Sequence, residues 1–273
     1  MKLNCIRNIN TYNQNSHKNS NVAFTSMPNG PTCTTIFRPN SQWQPLTSFT
    51  INHFKRSLAD EKIIKVLSHF CADCSELHTY ILSLIKDLGY QTVKKNFRFE
   101  ARDFDHQMVN NIKNKEIMVI KKTADNSETD IDRLRKHLGE EIEINGKNIK
   151  VEDIFMPIEE VIEDTSSKFF GFQKCKVNDD LANLIQVKQE NIKDFSDNDF
   201  NIIFVKNNLS CLGENALDKE FKGLVENLHE KTTQNGMVVV SKYDANKFNI
   251  GDKFKNIFSN SYEDLKGDVI YLK

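Results

Sequence analysis

The chain has 273 residues, enough for one large or two small domains, and a formal net charge of -1. That charge leaves no overall basic field to argue for nucleic acid, and no apolar run approaches the ~18 residues of a membrane span. Six scattered cysteines form no dense disulfide framework and read as reduced thiols in a cytoplasmic protein, and nineteen phenylalanines supply large apolar surface for a core.

Met1–Pro31 is rich in Asn and Ser, lacks apolar periodicity and is expected to have no fixed fold. It contains no apolar h-region, so no secretory signal is expected. Thr32–Leu46 places Ile36, Phe37 and Trp43 among polar residues and reads as an ordered arm on the main domain. A short helix is expected over Thr50–Asp60.

Ile63–Ile85 then reads as a buried strand, a tight loop and an amphipathic helix. Such a unit opens a doubly wound α/β domain, in which ligands sit beyond the carboxyl ends of the strands. A second strand is expected over Lys95–Ala101 and a helix over His106–Lys115. Lys121–Thr129 is a polar break, and Asp130–Leu138 reads as helical. Glu141–Val151 alternates around Asn145-Gly146, a strong hairpin signal. A further acidic helix is expected within Glu152–Phe169. Residues 121–176 together read as an insertion or subdomain beside the main sheet.

Leu184–Lys188 is a short strand, and Asp199–Val205 the clearest buried strand in the chain. Leu217–Thr232 is an amphipathic helix that leads through Asn235-Gly236 into a strand at Met237–Ser241. Phe254–Phe258 and Val269–Leu272 form an expected antiparallel closing pair. The fold class is therefore α/β with a mostly parallel sheet.

An ordered series of short motifs resembles the CheR-type S-adenosylmethionine-dependent methyltransferases, which methylate receptor glutamates. Thr34-Thr35-Ile36-Phe37-Arg38, with Trp43 and Leu46, matches the family's Thr-x-Phe-Phe-Arg arm. Ser68-His69-Phe70-Cys71-Ala72-Asp73-Cys74-Ser75-Glu76 follows its first loop, with Phe70 and Cys74 in place of the two glycines. Ala101-Arg102-Asp103-Phe104-Asp105 follows its second-strand end, Asn191-Ile192 its Asn-Leu-Leu after the adenine-side strand, and Phe200 to Leu209 its Phe-Asp-x-Ile-x-Cys-Arg-Asn-Val-Leu stretch. Within that last stretch Asn207 is retained, while Asn201 and Lys206 replace an acid and an arginine. Cys211 stands where a tyrosine usually follows. Only about thirty irregular residues precede the arm, so the family's N-terminal helical domain is expected to be missing.

The resemblance implies a Rossmann-like methyltransferase fold over 32–273 and S-adenosylmethionine as cofactor. It implies Thr34, Arg38, Glu76, Asp103, Asn191 and Asn207 as cofactor-binding residues. Asp103 would accept from the ribose hydroxyls, Glu76 from the ammonium end, and Asn191 would read the adenine edge. No residue is assigned a catalytic role and no metal is expected. A carboxylate acceptor needs no general base, because it is already ionised at neutral pH. The implied function is O-methylation of a protein carboxylate; the alternative is an inactive binding or scaffold protein on the same fold. A protein substrate is the expected partner, with neither nucleic acid nor membrane.

The residues alone support blander roles. Asp103 or Asp105 could cap a helix, Glu76 could complement a helix dipole, and Arg38 could be a surface ion pair. His69, Cys71, Cys74 and His78 also give a zinc-like spacing, and Cys71-x-x-Cys74 a dithiol spacing at a helix start. Four ligands so close across a strand-to-helix turn would strain both elements.

Overall fold

A computed structural model describes residues 40–69, 74–103, 105–122, 128–163, 171–190, 197–205, 224–241, 245, 250–259 and 268–273. Met1–Pro31 and most of the expected arm lie outside these. The rest of the arm, with the following stretch, forms one helix, α1 (Asn40–His53), despite Pro45 inside it. Leu46, Thr47 and Thr50 are buried on it, and Tyr80 donates its hydroxyl to Thr50 Oγ1 at 3.0 Å, so tertiary packing overrides the proline. A short helix, α2 (Lys55–Ala59), completes the lead-in.

The expected strand–loop–helix follows as β1 (Ile64–His69) and α3 (Ser75–Leu88). Beyond Gly89, α4 (Tyr90–Asn96) occupies residues not expected to be helical. Gly89 sits at φ 80°, which breaks the long helix, and Tyr90 and Val93 bury the face of the new turn. Strand β2 (Phe97–Asp103) and helix α5 (His106–Lys113) come next.

The segment between α5 and the next core strand builds its own sheet. Strands β3 (Glu116–Lys122), β6 (Phe155–Pro157), β7 (Ile162–Glu163) and β8 (Gly171–Val177) pair antiparallel around β8. Helix α6 (Asp130–Leu138) matches its expected span. Thr129 and Asp132 form a reciprocal capping box at its start, and Gly139 ends it at φ 94°. The hairpin β4 (Glu141–Ile144) and β5 (Lys147–Lys150) turns at Asn145 and Gly146, both at positive φ as a two-residue turn requires. The helix expected within Glu152–Phe169 is not formed where that segment is described. Residues 151–153 make one 3-10 turn, and Phe155 to Pro157 pair with β8. Burial of Val151, Ile154 and Phe155 and the ladder to β8 outweigh the acidic residues' helical preference.

A short helix, α7 (Asp179–Ala182), leads to β9 (Ile185–Gln189) and β10 (Phe200–Val205). Helix α8 (Leu224–Lys231) then enters β11 (Thr232–Ser241), and β12 (Lys255–Ser259) and β13 (Asp268–Leu272) close the fold.

The main sheet runs β12-β13-β11-β10-β1-β2-β9. Five neighbours, from β11 to β9, are parallel; β13 is antiparallel to both β11 and β12. The winding reverses between β1 and β10, where open α/β sheets place their ligand crevice. Strand alternation sends residues to two cores. Ile64, Val66, Phe99, Ile202 and Val239 pack with α3 on one side. Leu67, Phe200, Ile203, Val238 and Tyr271 pack with Leu228 of α8 on the other. This is the mixed, Rossmann-like α/β arrangement expected from the sequence.

Candidate functional site

The carboxyl ends of β1 and β2 lie side by side. Ser68 pairs with Ala101 and His69 with Arg102, so Asp103 stands one step beyond the shared ladder. The chain leaving β1 returns at Cys74 and enters α3 at Ser75. Asp103 and the start of α3 thus flank the same end of the sheet.

Asp103 is 6% exposed. Its Oδ1 accepts the N–H of Asp105 at 3.0 Å, and its carbonyl accepts the N–H of Glu190 at 2.9 Å. Asp105 has the other role open to this acidic pair: its Oδ1 accepts from the N–H groups of Gln107 and Met108 and caps α5. The two carboxylates are therefore separated by function, Asp105 to the helix and Asp103 to the strand end.

Cys74 takes the place of a loop glycine in the motif series. It holds φ 61° and ψ 15°, the left-handed conformation that glycine adopts without strain. Its thiol is 1% exposed and packs into the core with α3. The backbone course that a glycine would give is kept, and the added side chain is stored in the core. Glu76 lies in the first turn of α3, partly buried, where a carboxylate also complements the helix dipole.

Of the six residues implied to bind cofactor, Glu76 and Asp103 come to this end of the sheet. Thr34, Arg38, Asn191 and Asn207 lie outside the described residues, as do Phe70, Cys71, Lys206 and Cys211. Asn201 is described and serves the opposite end of the sheet: its Oδ1 accepts from the N–H of Lys65 at 2.8 Å.

The zinc-like spacing is not gathered by its described members. His69 follows Leu67 on the α8 side of the sheet, beside Arg102, whereas His78 packs edge-on against Phe155 in the α3 core. Burial, then the charge of Arg102, pushes His69 down to about 3; burial alone brings His78 down to about 4. Both are neutral core histidines at neutral pH. No group of three or more metal-ligating side chains assembles among the described residues.

Arg102 was not singled out by the sequence. Its side chain is fully buried. It donates from Nε and Nη2 to Glu100 Oε2 at 3.2 and 2.6 Å, from Nη2 to Asp197 Oδ2 at 2.5 Å, and from Nη1 to Glu190 Oε2. Burial opposes its charge, but the bonds and charges of Glu100, Asp197 and Glu190 prevail and hold its pKa above the ordinary arginine value. The available signal was the alternation Arg98, Glu100, Arg102 along one face of a strand whose other face is apolar.

Among the described residues, no helix is long and apolar enough to cross a membrane.

No protein-family model matches the chain, and no curated protein matches its sequence. Solved structures do resemble it. Magnesium protoporphyrin IX methyltransferase from Synechocystis, with bound S-adenosylmethionine, is 8% identical with a TM-score of 0.39, over 84% of this chain and 77% of that one. A SAM-dependent methyltransferase from Aquifex aeolicus is 10% identical with a TM-score of 0.40, over 86% and 98%. An N-methyltransferase from Bradyrhizobium japonicum, with S-adenosyl-L-homocysteine, is 10% identical with a TM-score of 0.36, over 85% and 86%. At this level of similarity the neighbours carry no functional assignment for this chain.

Proposed function

We propose that this chain is a divergent S-adenosylmethionine-dependent methyltransferase that binds its cofactor beyond the carboxyl ends of β1 and β2. The observation that carries the reading is the pairing of two features at that end. Cys74 keeps a glycine-like left-handed backbone at the mouth of α3, and Asp103 presents its carboxyl at the end of the neighbouring strand. The ordered motif series from Arg38 to Asn207 supports the same cofactor.

The described residues fit this group in kind. A carboxylate at the end of the second strand accepts from ribose hydroxyls, and a first-turn glutamate accepts from an ammonium. Thr34, Arg38, Asn191 and Asn207 complete the proposed set. When bound, the cofactor supplies the activated methyl group; the protein supplies orientation and exclusion of water. The proposed acceptor is a protein side-chain carboxylate, which suits a site to which no general base is assigned.

A second reading keeps the fold and drops the transfer. It is favoured by Asp103, whose Oδ1 already accepts a main-chain N–H, and by the replacement of the tyrosine position with Cys211. Incubation with methyl-labelled S-adenosylmethionine and a cell extract separates the two. Protein-bound label released as methanol by mild base is expected for a methyl ester. Cofactor binding with no protein-bound label favours the scaffold reading, and label stable to base excludes the carboxylate acceptor.

A further inference from the structure

Glu100 and Arg102 lie on one face of β2, and Arg102 gathers carboxylates from three stretches of chain. Glu100 is on its own strand, Glu190 follows β9, and Asp197 precedes β10. Lys188 joins them, 2.8 Å from Asp197 Oδ2 and 3.2 Å from Glu100 Oε2. The guanidinium lies 5.3 Å over the ring of Phe200. A planar fork with an aromatic floor suits arginine; a lysine ammonium is a point charge and cannot bind two carboxylates in this way.

The arrangement has a topological consequence. Strands β9 and β10 are parallel and sit on opposite sides of the β1–β2 pair, yet Gln189 and Phe200 are joined by only residues 190–199. Parallel crossovers usually take a dozen or more residues. Arg102 binds both ends of this short connection, at Glu190 and at Asp197. The next residue of β2 is Asp103, whose carbonyl accepts the Glu190 N–H. Side chain and main chain therefore fix the exit of β9 against the end of β2 from two adjacent positions.

We infer that Arg102 is a positioning residue for the nucleoside end of the proposed cofactor site, setting the β9 exit at a fixed distance from Asp103. This rests on the methyltransferase reading above. Arg102 acts through Glu190 and the backbone of Asp103. Its loss changes how ribose and adenine are held, not the methyl group's reactivity.

The test uses Asp197→Asn and Glu190→Gln, which open one arm each and leave the arginine in place, with Arg102→Lys as the variant that keeps charge and loses the fork. Binding of S-adenosylhomocysteine and of adenosine is measured by calorimetry, and melting by circular dichroism. Asp197 is half exposed, so Asp197→Asn is expected to melt close to the wild type. Its dissociation constants for both ligands are nevertheless expected to rise about tenfold, as are those of Glu190→Gln and Arg102→Lys. Unchanged affinity in Asp197→Asn and Glu190→Gln would overturn the positioning role. A rise for S-adenosylhomocysteine without one for adenosine would overturn its assignment to the nucleoside end. A wild type that binds neither ligand would overturn the underlying reading and the proposal with it.

Discussion

Glu190 donates its main-chain N–H to the carbonyl of Asp103 at 2.9 Å, one step past the last paired residues of β2 and β9. The bond extends the parallel ladder to the rim of the sheet. It fixes the backbone of the candidate ribose-binding carboxylate independently of any ligand. Beside it, Arg102 makes the matching side-chain connection to Glu190.

Removing that connection without replacement is expected to be severe. Arg102→Met leaves Glu100 and Glu190, each less than a fifth exposed, without their cation. Breaking a buried ion pair on one side costs roughly 3–5 kcal/mol. Urea unfolding should show a loss of that order. A loss under 1 kcal/mol would mean that water or Lys188 already compensates these carboxylates.

The backbone at Cys74 predicts an unusual order of stabilities. Cys74→Gly loses a buried thiol but relieves a left-handed residue, a strain of about 1–2 kcal/mol for an L-amino acid, and should be near neutral. Cys74→Ala keeps the strain and loses the thiol's packing, a cost of about 1 kcal/mol. Cys74→Val adds a β-branched side chain that tolerates positive φ poorly and should be worst. Denaturant midpoints in the order Gly, Ala, Val test this; an alanine variant more stable than the glycine variant would contradict it.

Three histidines set an acid limit. Burial pushes His69 down to about 3 and His78 down to about 4, with Arg102 adding to the shift of His69. His137, held at 2.5 Å from Ser83 Oγ, is brought down to about 4 by burial and then by Lys86. All three are depressed below 6.5, so between 6.5 and about 4 the unfolded chain binds protons that the folded chain does not. Their stabilisation is complete above 6.5 and is lost as pH falls, down to about 4 for His78 and His137 and about 3 for His69. Unfolding at pH 5 should take up about three protons, with a slope of about 1.4 kcal/mol per pH unit for each. Asp132 and Asp197, whose pKa values are lowered, mainly by hydrogen bonds from Thr129 and Lys188 respectively, lose their contributions only at lower pH. A melting temperature flat from pH 6.5 to 4.5 would contradict this account.

Local signals were the legible ones. Asp130–Leu138 was bounded correctly because its capping box and its terminal glycine are written in adjacent residues. The same holds for the turn at Asn145-Gly146 and for the apolar strand ending at Val205. The second sheet was not legible, because its pairing is remote: Glu116 pairs with Lys176 across the whole insertion, although β3 and β8 are each as long as β2. The acidic run from Glu152 looked helical for the same reason: its ladder partner is remote. At the candidate site, the proposed role of Asp103 comes from its step in an ordered motif series. Arg102 was not legible, since Glu190 and Asp197 lie 88 and 95 residues away in sequence.

The most direct test of the methyltransferase reading is titration of the wild type and Asp103→Ala with S-adenosylhomocysteine. The Glu190 N–H holds the Asp103 carbonyl whatever the side chain, so the substitution should keep the strand end in place while removing the proposed ribose contact. Micromolar binding by the wild type, weakened at least about tenfold in Asp103→Ala, is the predicted result, since a hydrogen bond to a charged group is worth about 1.5–3 kcal/mol. No binding by the wild type at millimolar ligand, or equal binding by the two proteins, would contradict it.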